Sequence, residues 1–202
     1  MEIESKDEFA RRDGLAEVIV GIIGSPVATM RKVNREHSLP LSLAIFLLVM
    51  LVVSLATVLT DATFLAQLGV TQLGLAVFIV VLIPLSLIFL FTQAGACFGA
   101  ARLLGARGSF RNLLSLLALA NVPSLFMAPL ALLRFVPGIA GSVLHGLGSL
   151  VLSIWVMVLA IIAVRETFQV TTGRAVLICY LPILLLVALV VLLATPVILL
   201  YT

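Results

Sequence analysis

The side chains able to do chemistry are few and scattered. Two cysteines, Cys97 and Cys179, occur among 202 residues. Neither belongs to a CxxC pair or has a histidine at ligand spacing, so the spacing suggests neither a metal site nor a redox pair. Both read as small, membrane-buried residues. The two histidines, His37 and His145, lack an HExxH context, and the chain has no glycine-rich phosphate loop, G-x-S-x-G elbow or paired carboxylate. Only His145, with Ser142 and Ser149 on the same short helix end, offers a Ser/His pairing, and that is too little for a nucleophilic site. Asp61 and Glu166 are single acidic residues at the edges of apolar stretches, where water can solvate them. The expectation is therefore a protein that is not an enzyme, with no catalytic, cofactor-binding or metal-binding residues.

The elements that must carry these residues follow from composition. Hydrophobic residues make up 63% of the chain and charged residues 10%, against about 45–50% and 25% in soluble domains. Mean hydropathy is +1.33. So few charges cannot cover a water-facing surface, which excludes a soluble domain. The net charge of +3 and pI near 9.3 are sorted by position along the chain, so they read as topology rather than as a nucleic-acid footprint.

A spanning helix needs about 20 mainly apolar residues. Five stretches qualify, at about 41–60, 73–99, 113–133, 142–164 and 175–200. They lack the period-2 alternation of barrel strands and are about twice the length such strands require. The fold class is all-α, an integral membrane bundle of five transmembrane helices, with residues 39–202 as the membrane domain and residues 1–38 as a separate N-terminal segment. That polar-to-amphipathic segment is too long for the charged region of a cleaved signal peptide, so the N-terminus is expected to stay attached. In a five-span arrangement Lys6, Arg11, Arg12, Arg31, Lys32, Arg35, Arg102, Arg107, Arg111, Arg165 and Arg174 fall on one side, and of the basic residues only Arg134 falls on the other. Basic flanks are retained in the cytoplasm, which puts the N-terminus there and the C-terminus on the opposite side.

Within residues 1–38, Leu15, Val18, Ile19 and Ile22 repeat at helical spacing and predict a short amphipathic helix. Ser25 and Pro26 predict the start of a second. Arg31, Lys32 and Arg35 then lie where anionic lipid head groups could meet them, although a helix packed on the end of the bundle explains the same pattern. The first eight residues, rich in charge, read as disordered. In the membrane domain, Gly95 and Gly99, and the series Gly138, Ser142 and Gly146, form smooth ridges that allow close helix approach, including contact with a second copy or another membrane protein. Pro84, Pro123, Pro129, Pro182 and Pro196 favour bent helices. Gln93 and Asn121 are the main polar residues inside the spans. They read as interhelical hydrogen-bonding groups or, alternatively, as a polar path in a small transporter or permease component.

The segments SPVATMRKV, LGARGSFRNLLSLLALANVPSLF and RETFQVTTGRAVLICYLPILL, set around five spans with short loops, give the chain a recognisable outline. It resembles the Yip-one domain family, the Ypt- and Rab-interacting membrane proteins and their bacterial and archaeal relatives. Pro26, Gly108-Ser109-Phe110, Ala120, Pro123, Trp155 and Arg174-Ala175 carry the resemblance, which extends over about 25–200. It implies a non-catalytic role in organising membranes or binding partners. In eukaryotic members it further implies binding of prenylated Rab GTPases and vesicle budding. The long N-terminal domain of those members, with its Asp-Leu-Tyr-Gly-Pro type motif, has no counterpart here. A Rab-type GTPase is accordingly not expected as a partner, and the resemblance points to the short prokaryotic branch and a prokaryotic plasma membrane.

Overall fold

Backbone groups in hydrocarbon must be satisfied within their own segment, which forces long apolar runs into helices. The computed structural model describes residues 16–36, 39–60 and 72–201, and every regular element among them is helical. The short α1 (16–24) and α2 (Pro26–Glu36) precede the long α3 (Leu39–Thr60) and α4 (Gln72–Leu103). α5 (Phe110–Ala120) is followed by a 3₁₀ turn (Val122–Phe126), the single-turn α6 (Met127–Ala131) and another 3₁₀ turn (Leu132–Phe135). The chain ends in α7 (Ile139–Phe168) and α8 (Thr172–Tyr201). Residues 1–15, with Lys6, Arg11, Arg12 and Leu15, and His37 and the segment 61–71 with Asp61 lie outside the described residues, as does the side chain of Arg35.

Four stretches among the described residues are long and apolar enough to cross a bilayer: Leu39–Val58, Val80–Leu103, Phe110–Phe135 and Ile139–Phe168. α8 adds the shorter apolar stretch Thr172–Leu185. The third crossing is a broken rod. Pro123 has no N–H to give and disfavours the helical region for Val122, so regular α-helix stops at Ala120. The Asn121 N–H then reaches back only three residues to Ala118 O (3.3 Å), and the Ser124 N–H bonds Asn121 O (2.9 Å), both contacts of the tighter 3₁₀ kind. Pro84, by contrast, lies within an uninterrupted α4.

α5 is the centre of the bundle, with every residue from Leu113 to Ala120 buried. A helix apolar all round belongs inside. α3 packs Ile45 and Val49 into the same core, α4 supplies Leu90 and Ala94, α7 supplies Leu159 and Ala163, and α8 supplies Ala175 and Ile178. One polar contact is sealed within it: the Ser42 and Ser115 hydroxyls meet at 2.6 Å, joining α3 to α5. The outward sides of α4 and α7 expose Val80, Ile88, Phe89, Leu150 and Val151, an apolar exterior suited to lipid.

Candidate functional site at the charged end of the bundle

Polar and charged side chains gather where α2, the 104–109 connection and the end of α7 converge. The amphipathic pattern of α1 and α2 is used internally: Val18, Ile22, Met30 and Val33 turn into the core. The two helices approach closely, since a Cβ on Gly21 would stand 2.5 Å from the Thr29 hydroxyl. Lys32 Nζ meets Glu17 Oε1 at 2.9 Å across the pair, an exposed contact of small energetic value. α2 in turn packs on α5 and α7.

Glu166 is the centre of this region, and here the sequence reading is corrected. Water does not solvate it; the residue is only 4% exposed. Arg31 approaches its carboxylate with two nitrogens, Nε to Oε2 at 3.1 Å and Nη2 to Oε1 at 3.3 Å, while Arg165 Nη2 donates to Oε1 at 2.9 Å. The carboxylate is desolvated, and it is satisfied by two guanidinium groups from different elements. The hydrogen bond to Glu166, and after it the carboxylate's charge, hold the Arg31 pKa above its ordinary value.

The backbone carbonyl of Glu166 is used as well. Asn34 Nδ2 donates to it at 3.0 Å and Gln169 Nε2 at 2.7 Å. Gln169 sits in the left-handed region (φ 52°), where it ends α7 in place of the usual glycine. Its own side-chain bond to the last turn holds it there. Asn112 Nδ2 reaches Asn34 O at 3.4 Å, so α5 joins the same network. Asn34 Oδ1 is buried with no hydrogen bond among the described residues.

The 104–109 connection closes the other side. Gly105 (φ +73°) ends α4 with the Ala106 N–H on Ala101 O (2.8 Å) and its own N–H on Arg102 O (3.0 Å), the paired bonds of a Schellman cap. Arg174 Nη2 then bonds Leu104 O at 2.9 Å. Phe98 stacks edge-on with Phe110 at 5.6 Å, lies 6.2 Å from Phe168, and carries Arg102 over its ring at 4.9 Å. Gly108 has to be small, because a Cβ would lie 2.6 Å from Phe168 Cδ1.

The other residues singled out from sequence are not brought to this site. Gln93 is half-buried on α4. Asn121 bonds the Leu117 carbonyl of its own helix at 2.9 Å rather than a neighbouring helix. Gly95, Gly99 and Gly146 are exposed, and a Cβ on any of them would meet nothing within 4 Å among the described residues; Gly138 and Ser142 are exposed too. The close approaches within α7 use other glycines: a Cβ on Gly141 would stand 2.5 Å from the carbonyls of Leu133 and Val136, and Gly148 lies against Leu130. Trp155 stacks on Phe126 at 6.1 Å. An open cavity of about 260 Å³ at the opposite end is bordered by Thr57, Thr60, Arg134 and His145. A second, of about 390 Å³, runs beside α1 and α2 past Glu17, Ser25, Thr29 and Lys32. Neither includes Gln93 or Asn121, and nothing supports the transporter reading.

Sequence reasoning missed Glu166, although a signal existed: it is the only acidic residue after Asp61, and it follows Arg165 directly. No group of His, Cys, Asp and Glu able to hold a metal occurs among the described residues.

Apolar helices of spanning length, with an amphipathic helical pair fastened to one end by a buried carboxylate, define an all-α, multi-pass integral membrane protein. The family model of the Yip1 domain matches residues 20–194, and the chain belongs to that family. No curated protein and no solved structure matches it.

Proposed function

We propose that the protein is a non-catalytic organiser of the membrane that works by binding partners along its lipid-facing helices. The observation that carries this reading is the open space beside Gly95, Gly99 and Gly146, on helix faces no other part of the described chain covers. Small residues on an exposed membrane helix let a second backbone come close, which in lipid is a main source of association energy. The partner is another copy of the chain or another membrane protein.

The proposal includes five crossings, with α8 as the fifth because its 30 residues are long enough to span. It places the charged end in the cytoplasm of a prokaryotic cell, by the bias of basic residues. There α1 and α2 lie along the membrane surface. Arg31 keeps 56% of its side chain exposed while it holds Glu166, so with Lys32 it can also meet anionic head groups.

The test is cross-linking in native membranes. In a background with Cys97 and Cys179 replaced by Ser, Gly95→Cys and Gly146→Cys should give disulfide-linked dimers on oxidation, whereas Phe89→Cys, exposed but about a third of a turn round α4 from Gly95, should not. Equal cross-linking at all three positions, or at none, would sink the reading. Impermeant maleimide should label Arg134→Cys from outside intact cells and leave Arg107→Cys untouched.

A further inference from the structure

The groove beside α1 and α2 combines an apolar wall with a pair of opposite charges. Val18 and Val33 line it from the core side, and Val20, 68% exposed, and Leu41 extend the apolar surface. Glu17 Oε1 and Lys32 Nζ border the same space 2.9 Å apart, each with more than half of its side chain exposed. Leu41 belongs to the first turn of α3, whose apolar span begins at Leu39, so the groove lies where that helix enters the bilayer. Its volume of about 390 Å³ falls within the roughly 300–1,000 Å³ of small-molecule sites. A surface built only to meet anionic lipid would gain nothing from Glu17, because a carboxylate repels phosphate. A carboxylate and an ammonium side by side instead match a head group that carries one charge of each sign.

We propose that this groove binds the head group of a phospholipid with a primary amine, of the phosphatidylethanolamine class. The proposal rests on the placement of α1 and α2 along the membrane surface. The lipid phosphate lies beside Lys32 and the lipid ammonium beside Glu17, antiparallel to the protein's own pair, so each charge keeps its partner and gains a second. The glycerol end follows Val20 and Leu41 toward the acyl chains. A primary ammonium donates N–H to the Glu17 carboxylate, a charge-assisted hydrogen bond. A choline head has the same net charge and no N–H to give, and a head with phosphate alone would leave Glu17 facing a like charge. The selection is therefore made on the amine, and Glu17 makes it.

Full-length protein in detergent is titrated with phosphatidylethanolamine and phosphatidylcholine of identical acyl chains, and bound lipid is counted by native mass spectrometry. Wild type should bind the ethanolamine lipid about two- to tenfold more tightly, the net worth of one hydrogen bond. Glu17→Ala should remove that preference. Lys32→Gln should weaken both lipids, which share the phosphate. Both variants alter an exposed pair of small energetic value, so the fold should survive them. Equal binding of the two lipids by wild type, a preference that Glu17→Ala leaves intact, or unchanged affinities in Lys32→Gln would overturn the proposal. The surface placement is read separately, from an environment-sensitive fluorophore on Val20→Cys, with Cys97 and Cys179 replaced by Ser, in phosphatidylcholine vesicles. Emission as in water would overturn that placement and the site with it, whereas a blue shift without an ethanolamine preference would overturn the site alone.

Discussion

The charged end and the outer faces of α4 and α7 both contain small residues, and they use them in opposite ways. At the charged end the space beside Gly108 and Gly21 is filled by the chain itself: Phe168 lies where a Gly108 side chain would be, and Thr29 where one on Gly21 would be. The buried carboxylate there is matched from within, Glu166 being held by Arg31 and Arg165. On the outer faces, Gly95, Gly99 and Gly146 face open space. The function of a glycine in this protein therefore follows from what a Cβ would meet, and spacing alone does not give it. The closed contacts hold the fold, while the open ones meet nothing within 4 Å among the described residues.

The largest effect expected from breaking this contrast is at Glu166. Glu166→Ala removes the buried carboxylate that both guanidinium groups share and empties its site between α2 and α7. Loss of one partner from a buried pair costs about 3–5 kcal/mol, reduced here to roughly 2–3 because water reaches Arg31. Thermal unfolding in detergent should show the loss. Arg31→Gln combined with Glu166→Gln should cost less than the sum of the two single changes, because each single change strands the other group. Additive costs would mean that the pair does not fasten α2 to the bundle.

Gly108→Ala comes next. Its Cβ would press on the Phe168 ring and stand 3.2 Å from the Thr167 carbonyl, and overpacking of this kind costs about 1–3 kcal/mol. Phe168→Leu in the same chain should recover part of the loss by giving the methyl room. No recovery would place the strain in the backbone instead of the ring.

These two sites differ in how far they can be read from sequence. Apolar run length and the flanking basic residues are local properties, so α3, α4 and α7 are legible as membrane helices from composition alone. The break after Ala120 is half-legible: Pro123 marks a bend, but its conversion into successive 3₁₀ and α turns depends on packing against α3 and α7. The Arg31–Glu166 contact joins residues from opposite ends of the chain, and a single carboxylate beside an arginine looks the same in sequence whether it is solvated or buried. The glycine ridges are legible as ridges, but which ridge faces inward is not. Gly141 and Gly148 pack within the chain, while Gly146 on the same helix does not.

The Ser42–Ser115 contact tests the interior at a smaller scale. Both hydroxyls are buried and 2.6 Å apart. Ser115→Ala removes one partner and should cost about 1 kcal/mol, the net worth of a typical buried hydrogen bond. Its expected signature is a modest fall in melting temperature with self-association unchanged. Reduced self-association would show that the core and the outer ridges are coupled.

The smallest stability change is expected at the ridge, and there it is most informative. Gly95→Leu places a side chain where nothing lies within 4 Å among the described residues, so the isolated chain should keep its stability to within about 0.5 kcal/mol, as for surface substitutions generally. If the open face is a contact surface, the same substitution blocks close backbone approach and weakens association. Native mass spectrometry of wild type, Gly95→Leu and Gly146→Leu in one detergent separates these effects: unchanged melting with a lost dimer marks the ridge as an interface. A melting temperature that drops like that of Gly108→Ala would mean the face is covered within the chain, and the contrast between the two regions would fail.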